Sequence, residues 1–244
     1  MSEEISFNPE KPISDIDGVE KKDIFDEQDQ ARIFDALGGW YENQKALFPE
    51  IGFVIDVPRK IGDGLPVETA GEVESSFDLP DGVKLPREAI ELFDTITKDS
   101  AKDPELGQRD PQFIFERTGS RNTHAEDQGF HLDTKQIYWD DQGNRIGYSK
   151  ERSLPIYMVY VGRPGSLVIH GKVDPSIDQL ESVPIAKSYK YDQQTGITTR
   201  QGEGPEPVVS QLYPNSIYKV AAGDLLHRPP VHEDGLLVTV RFNS

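Results

Sequence analysis

The chain has 244 residues, a length that accommodates one large β-rich domain or two small ones. Its formal net charge of −17 disfavours nonspecific binding to nucleic acid or to an anionic membrane. The sequence contains no cysteine, which excludes disulfides and thiolate metal sites and leaves histidine and carboxylate side chains as the available metal ligands. These limits favour a protein that acts on a small molecule.

The sequence carries no sign of a targeting or membrane-spanning segment. The N-terminus, MSEEISFNPE, is acidic, and no apolar run approaches the ~18 residues of a membrane span. We therefore expect a soluble, cytoplasmic protein with no membrane partner. No basic groove or aromatic array indicates a nucleic-acid partner. The sequence does not indicate an oligomeric state.

The N-terminal part begins with a polar, acidic stretch and continues into a predicted helix. Residues 1–22 are expected to form a mobile tail or an extended strap on the domain. From Asp26 to Phe48, apolar residues recur at steps of three and four, which predicts an amphipathic helix. Asp26 is its predicted cap, and the helix is expected to end near Pro49.

A second helix is predicted after a long loop. Residues 51–58, IGFVIDVP, favour a short strand, and residues 59–84 are rich in glycine, proline and acidic residues, which is typical of a loop. The second helix is expected to start with Pro86 at its first position and to end by Lys102.

The rest of the chain consists of short β-favouring segments separated by turn sequences such as DDQGN and HEDG. The predicted strands are 112–117, 128–139, 154–161, 166–173, 186–191, 197–200, 208–213, 216–220 and 236–242. This spacing favours an antiparallel sandwich or barrel. We predict an α+β, mainly β protein with a tail at 1–22 and one domain at 23–244, in which 23–110 is helical support and 111–244 is the β core.

The segment QGFHLDTK, residues 128–135, places an imidazole and a carboxylate two residues apart. Side chains of a strand alternate between its faces, so His131 and Asp133 would share one face. Phe130 and Leu132 at the alternate positions support a strand. One nitrogen and one oxygen ligand make two thirds of a two-histidine, one-carboxylate iron site. An isolated pair of this kind is more often part of a polar surface strand, so a third ligand is needed.

Two later histidines, His227 and His232, are candidates for that ligand and lie in the segment GDLLHRPPVHEDG. The last predicted strand, LLVTVRF, carries a single cation, Arg241, on the face that it shares with Leu237 and Thr239. An arginine binds a carboxylate through two parallel hydrogen bonds, a geometry that lysine cannot supply. The sequence thus ends with candidate ligands for a metal and for an organic acid.

The order of these motifs resembles the Fe(II)- and 2-oxoglutarate-dependent oxygenases. Members of that family have His-x-Asp on an early core strand, a distal histidine near the penultimate strand and a basic residue on the last strand. The resemblance covers residues 112–244, in which HLD, GDLLHRPPVH and VTVRF follow in that order. The segment GRPGSLVIHGK at 162–172 is similar to the family's mid-barrel strand. The resemblance implies a double-stranded β-helix, or jelly-roll, core with the N-terminal helices packed on it.

The resemblance also implies a reaction. Fe(II) would be held by His131, Asp133 and the distal histidine, and Arg241 would bind the co-substrate 2-oxoglutarate. With O2, the enzyme would hydroxylate a small molecule, such as an amino acid or a natural-product intermediate, and release succinate and CO2. A carboxylate at position 133 favours hydroxylation, desaturation or ring formation over halogenation, because halogenating members have a small residue there.

The identity of the distal ligand stays open between two histidines. His227 precedes Arg241 by 14 residues, which is similar to the clavaminate-synthase-like branch, and the sequence His-Arg-Pro at 227–229 is similar to a run that many members share. His232 precedes Arg241 by 9 residues, which is similar to the prolyl-hydroxylase-like branch. We prefer His227.

Two other functions fit parts of the sequence. A cupin-type metal enzyme, such as an isomerase or a keto-acid-independent dioxygenase, is one, because GDLLHRPPVH resembles the second cupin motif; HLDTKQIYW, however, lacks the second histidine of the first cupin motif. A non-catalytic β-sandwich binding module, in which the histidines and Arg241 are incidental, is the other. By strand position, Lys135 and Tyr157 are further candidates for contact with the co-substrate or substrate.

Overall fold

Antiparallel β-strands and two helices form the part of the chain that the structure describes. The structure is a computed structural model, and it describes residues 16–49, 52–57, 79–118, 137–139, 145–148, 153–162, 167–172, 189–191, 198–200, 209–228 and 235–242. The helices are α1 (Glu27–Gln44) and α2 (Arg87–Ser100). The strands are β1 (Val19–Lys21), β2 (Phe53–Asp56), β3 (Pro111–Thr118), β4 (Ile137–Trp139), β5 (Arg145–Tyr148), β6 (Ile156–Val161), β7 (Leu167–Lys172), β8 (Tyr189–Tyr191), β9 (Thr198–Arg200), β10 (Val209–Gln211), β11 (Ser216–Val220), β12 (Leu225–Arg228) and β13 (Gly235–Phe242).

Helix α1 is amphipathic, as the spacing of its apolar residues predicts. Asp26 occupies the N-cap, where its side chain accepts a hydrogen bond of 2.8 Å from the backbone N–H of Asp29. A 3-10 turn at Lys45–Leu47 ends the helical segment just before Pro49. The predicted helix between Asp26 and Pro49 is confirmed. Its buried face consists of Ile33, Phe34, Leu37, Trp40 and Tyr41.

Helix α2 also lies where the sequence predicts it, with one correction at its start. Pro86 is the N-cap rather than the first helical residue, because its carbonyl oxygen already accepts the first helical hydrogen bond, from the N–H of Ala89 at 3.0 Å. The ring of Phe93 lies 4.2 Å from the ring of Phe113 in β3, measured between centroids. Helix α2 therefore packs on the sheet through aromatic contacts.

Two sheets carry the β core. The six-stranded sheet has the order β1-β11-β6-β13-β3-β2, and the three-stranded sheet has the order β10-β7-β12. All neighbours in both sheets pair antiparallel. The chain alternates between them, since β6, β11 and β13 lie in the larger sheet while β7, β10 and β12 lie in the smaller one. The predicted mainly β character is confirmed.

The remaining described strands form two small hairpins, one from β4 and β5 and one from β8 and β9. Strand β5 is not among the predicted strands. Of the predicted strand at 128–139, only β4 lies within the described residues. The predicted strands at 112–117, 154–161, 166–173, 216–220 and 236–242 are confirmed as β3, β6, β7, β11 and β13.

The end of the predicted acidic tail is part of the larger sheet. Strand β1 pairs antiparallel with β11, with Val19 aligned with Val220 and Lys21 aligned with Tyr218. This segment therefore forms the extended strap that the sequence allows as an alternative to a mobile tail. Residues 1–15 lie outside the described residues, and the predicted division into 23–110 and 111–244 stays a prediction.

The six-stranded sheet has a separate core on each face. Along β13, Leu236, Val238, Val240 and Phe242 pack on the helix side, and Leu237 packs on the other side, so the predicted alternation is confirmed. The helix-side core includes Ile33, Leu37, Leu92, Phe93, Phe113, Phe115, Tyr157, Val238 and Val240. The inter-sheet core consists of Ile16, Val19, Ile156, Met158, Tyr160, Leu212, Tyr218, Val220, Ala222, Leu225 and Leu237. Neither described helix is long and apolar enough to cross a membrane.

Candidate functional site

His227 lies in β12 and is buried, with 3% of its surface exposed. A turn closed by a 2.9 Å hydrogen bond from the N–H of Asp224 to the carbonyl oxygen of Ala221 leads into this strand, as the sequence predicts. Strand β12 then pairs with β7, in a register that aligns His227 with Val168. Leu225, two residues before His227, belongs to the inter-sheet core. His227 is therefore in the strand that borders the space between the sheets.

The surroundings of His227 define which of its ring nitrogens carries the proton. Nδ1 lies 2.9 Å from the carbonyl oxygen of Leu225. A carbonyl oxygen only accepts hydrogen bonds, so Nδ1 must be the N–H donor in this contact. In the neutral ring the lone pair is then on Nε2, which is the form of imidazole that binds a metal. His227 thus has the tautomer that an Nε2 metal ligand requires.

Arg241 lies on the sheet that faces His227 across the inter-sheet core. It follows Leu237 and Thr239 at steps of two along β13, and Leu237 belongs to the inter-sheet core. The arginine is exposed, in contrast to the six buried residues that precede it in the strand. Its guanidinium is thus placed on the inter-sheet side of β13, where solvent and small molecules have access.

Arg241 is one of three polar residues that lie side by side on adjacent strands. The register aligns Arg241 of β13 with Gln112 of β3, and Gln112 with Asp56 of β2. The side-chain amide of Gln112 donates a hydrogen bond of 2.9 Å to Asp56. We call these three residues the polar strip. Asp56 and Gln112 are absent from the predicted site, because only the strand pairing brings them beside Arg241.

Four further candidates from the sequence belong to the proposed iron site or its surroundings. His131, Asp133, His232 and Lys135 lie outside the described residues. Within the part of the chain that the structure describes, no three histidine, aspartate or glutamate side chains come together as a metal-binding group. The structure therefore describes one predicted iron ligand, His227, together with the predicted keto-acid ligand, Arg241.

The predicted role of Tyr157 in contacting the co-substrate or substrate is wrong. Its ring belongs to the helix-side core, and its hydroxyl donates a hydrogen bond of 2.8 Å to Asp99 at the end of α2. Burial, together with this carboxylate, raises the pKa of the Tyr157 hydroxyl above its ordinary value. Asp99 is also 3.0 Å from Lys22. Tyr157 therefore fastens α2 to the back of the sheet.

A cleft of about 630 Å³ lies elsewhere, at the start of α1. Its lining includes Lys21 of β1, Asp26 and Gln30 of α1, and Asn215 before β11. Neither His227 nor Arg241 lines it. A hydrogen bond of 2.8 Å from Gln30 to the carbonyl oxygen of Asn215 crosses the cleft region, which ties α1 to the larger sheet.

Comparison with known proteins gives matches only among solved structures. No protein-family model matches the chain, and no curated protein matches it. The chain is similar to a Pseudomonas putida prolyl-4-hydroxylase, with 15% identity, a TM-score of 0.33 and coverage of 94% of each chain. It is also similar to the Kdo hydroxylase KdoO, a non-heme Fe(II) α-ketoglutarate-dependent dioxygenase, with 15% identity, a TM-score of 0.34 and coverage of 89% of this chain and 84% of that chain.

Proposed function

We propose that this protein is an Fe(II)- and 2-oxoglutarate-dependent dioxygenase that hydroxylates a small molecule. The observation that carries the proposal is His227, a buried imidazole whose Nδ1–H is bonded to the carbonyl oxygen of Leu225. It lies in one of two sheets that share a core, and the other sheet bears Arg241 on its inter-sheet side. The strands that carry a candidate metal ligand and a candidate carboxylate ligand therefore lie on opposite sides of the same core.

We propose that the β core is a double-stranded β-helix. In a jelly roll, the chain passes back and forth between two antiparallel sheets. The described strands support this fold because β6, β11 and β13 lie in one sheet, while β7, β10 and β12 lie in the other. Helices α1 and α2 cover the outer face of the larger sheet through the helix-side core. The iron and the keto acid would then bind on the inner face of this sheet.

The iron ligands in this proposal are His131, Asp133 and His227. Two imidazoles and one carboxylate are a donor set that suits Fe(II) and keeps positions open for other ligands. The tautomer of His227 fits this role, since the hydrogen bond of Nδ1 leaves the Nε2 lone pair to bind a metal and also fixes the orientation of the ring.

Arg241 is the proposed ligand of 2-oxoglutarate. Its fork of N–H donors matches a carboxylate through two parallel hydrogen bonds. Its position is also suitable electrostatically, because a protein of net charge −17 needs a local cation to bind a dianion. Arg241 is the only arginine or lysine that the described part of β13 contains.

The bound Fe(II) and keto acid would supply the oxidising chemistry, in which decarboxylation of 2-oxoglutarate to succinate and CO2 is coupled to oxidation of the substrate by O2. The chain's own residues would bind the iron and the keto acid and orient them. The hydrogen bond to the carbonyl oxygen of Leu225 orients the imidazole of His227, and Arg241 would hold the keto acid by its carboxylate. Buried side chains such as Met158 and Tyr218 keep water out of one part of the inter-sheet space.

Turnover of 2-oxoglutarate tests this proposal. We expect purified protein with Fe(II), ascorbate and a panel of amino acids and other small metabolites to release succinate, and the release to require both iron and O2. Metal-dependent conversion of a metabolite without consumption of the keto acid would indicate a cupin-type enzyme instead. The absence of any metal-dependent reaction and of any binding of metal or keto acid would indicate a binding module.

A further inference from the structure

The inner face of the six-stranded sheet is the face on the inter-sheet side. One half of it is buried and the other half is accessible. On β6, β11 and β1, the side chains on this face are buried and apolar, as at Ile156, Val220 and Val19. In the same row of aligned residues across the sheet, Arg241 on β13 and Asp56 on β2 are exposed. Among the described residues in this row, access to the inner face is therefore over the half of the sheet that β13, β3 and β2 form.

The polar strip crosses this accessible half. Gln112 lies between Asp56 and Arg241, because β3 lies between β2 and β13 in the sheet. All three side chains lie on the inter-sheet side, since Phe113 and Ile55, the residues that follow and precede them, belong to the helix-side core. Directly opposed residues on antiparallel strands have Cβ atoms about 4.5–5.5 Å apart, so the neighbouring side chains are within reach of each other.

The contact with Asp56 defines the orientation of the Gln112 amide. The carboxylate of Asp56 only accepts hydrogen bonds, so the group 2.9 Å from it must be the NH2 of Gln112. The amide oxygen of Gln112 is bonded to the same carbon and lies on the other side of the amide group. The amide oxygen is therefore the atom of Gln112 that is directed toward the β13 side, where Arg241 is the aligned residue.

We infer that Gln112, held by Asp56, is a positioning residue that orients the guanidinium of Arg241 toward the distal carboxylate of the keto acid. An arginine has five N–H donors, so one edge of the guanidinium can bond to the Gln112 oxygen while another edge binds a carboxylate through two hydrogen bonds. A long arginine side chain on an accessible surface loses rotamer freedom on binding, and an orienting neighbour reduces that cost. This inference rests on the proposed function, since it assigns a role within the keto-acid site.

The test compares two keto acids on the iron-loaded protein. Under anaerobic conditions, the visible charge-transfer band reports binding of 2-oxoglutarate, which has a distal carboxylate, and of pyruvate, which does not. We expect Gln112→Leu to weaken the binding of 2-oxoglutarate by about five- to tenfold, which is less than the loss of a direct charge-assisted hydrogen bond, because Gln112 acts on the keto acid only through Arg241. The binding of pyruvate should stay the same, because its carboxylate lies at the metal rather than at Arg241.

Asp56 provides a matched second variant. Asp56→Ala should weaken the binding of 2-oxoglutarate by a smaller factor, because it removes the group that orients the Gln112 amide but keeps the amide. In the double variant, Asp56→Ala should cause no loss of affinity beyond that of Gln112→Leu, because the effects of substituting two residues that act as a unit do not add. Thermal unfolding of each variant establishes that the fold is kept.

Two results would overturn this inference while leaving the proposed function intact. One is an unchanged affinity of Gln112→Leu for 2-oxoglutarate. The other is an equal loss of affinity for 2-oxoglutarate and pyruvate, because Gln112 would then act only as part of the sheet. If the unmodified protein binds neither keto acid in the presence of Fe(II), the proposed function itself is wrong, and the inference is overturned with it.

Discussion

His227 is buried against the carbonyl oxygen of Leu225, whereas Arg241 is exposed in the polar strip. These surroundings suit different tasks. A metal ligand benefits from a ring that packing and a hydrogen bond hold in one orientation. A residue that binds and releases a dissolved acid benefits from access to solvent. The positive charge of Arg241 would also attract the anion. The roles that their order in the sequence predicts for the two residues stay predictions, which the substitutions below test.

The bidentate geometry of Arg241 leads to a testable difference between arginine and lysine. We expect Arg241→Lys to keep the positive charge but to lose one of two charge-assisted hydrogen bonds to 2-oxoglutarate. Such a loss costs about 1.5–3 kcal/mol, which corresponds to roughly a tenfold or larger weakening. The dependence of succinate formation on the concentration of 2-oxoglutarate measures the change in KM.

Arg117 is the matched control for this substitution. It lies on β3, the strand next to β13 in the same sheet, but it alternates with Phe113 and Phe115, so its side chain is on the helix side. Arg117→Lys should leave the KM for 2-oxoglutarate unchanged. An equal effect of both substitutions, or no effect of either, would contradict the assignment of Arg241.

The sequence predicts part of this site because some of its signals are local. The spacing of His227 and Arg241 and the alternation along the last strand are visible in the chain itself. The bond between Gln112 and Asp56 joins residues 56 positions apart, and it exists only because β2 and β3 pair in one particular register. No local pattern specifies that register, so the polar strip could not be predicted.

At the scale of elements, helical periodicity and long β-favouring runs were predictive, whereas two of the short strands, β1 and β5, were not predicted. Helices α1 and α2 have apolar residues at helical spacing over several turns, and β3, β6 and β13 have β-favouring runs of six to eight residues. Strand β1 has three residues and β5 has four. Segments this short form strands because a partner strand is present, which for β1 is β11. The strand with which a short segment forms hydrogen bonds is set by the tertiary fold and is not visible in the local sequence.

Two glycines test how the elements are joined. Gly52, just before β2, has a φ of +79°, and an added Cβ would lie 2.1 Å from the carbonyl oxygen of Phe115 in β3. Because this neighbour is backbone and the left-handed conformation itself costs an alanine about 1–2 kcal/mol, we expect Gly52→Ala to lower the free energy of unfolding by at least that amount. Urea-induced unfolding measures the change.

Gly39, in α1, is the control with the opposite sign. An added Cβ there meets nothing within 4 Å. Replacing a helical glycine with alanine reduces the conformational entropy of the unfolded chain, so Gly39→Ala should raise the free energy of unfolding by about 0.5–1 kcal/mol. If Gly52→Ala is as stable as the unmodified protein, the close approach of β2 to β3 is not as described.

At the scale of the whole molecule, helices α1 and α2 support one face of the six-stranded sheet, and the proposed function assigns ligand binding to the other. Ion pairs at the end of α2 contribute to the support, where Lys22 contacts Asp99 and Lys219 contacts Asp103. Burial alone would raise the pKa of Asp103, but the hydrogen bond from Lys219 and two backbone N–H groups outweigh it and lower the pKa below its ordinary value. These contacts hold α2 and β1 on the sheet.

The alternation of strands between two sheets was not predictable in detail. Turn sequences and strand lengths predict an antiparallel sandwich or barrel, but the orders β1-β11-β6-β13-β3-β2 and β10-β7-β12 depend on pairings between distant strands. Only these pairings place β12, with His227, and β13, with Arg241, on opposite sides of one core. The functional proposal therefore depends on the complete fold as well as on the motifs.

The most direct test of the central claim is anaerobic absorption spectroscopy with Fe(II) and 2-oxoglutarate. An iron-bound keto acid gives a weak visible charge-transfer band, and we expect the unmodified protein and His232→Ala to show it. We expect His227→Ala to lose the band, because the iron would lose one of its two imidazole ligands. A band that persists in His227→Ala but disappears in His232→Ala would contradict the assignment of His227. The absence of a band in the unmodified protein, with no stabilisation by metal or keto acid, would contradict the oxygenase function.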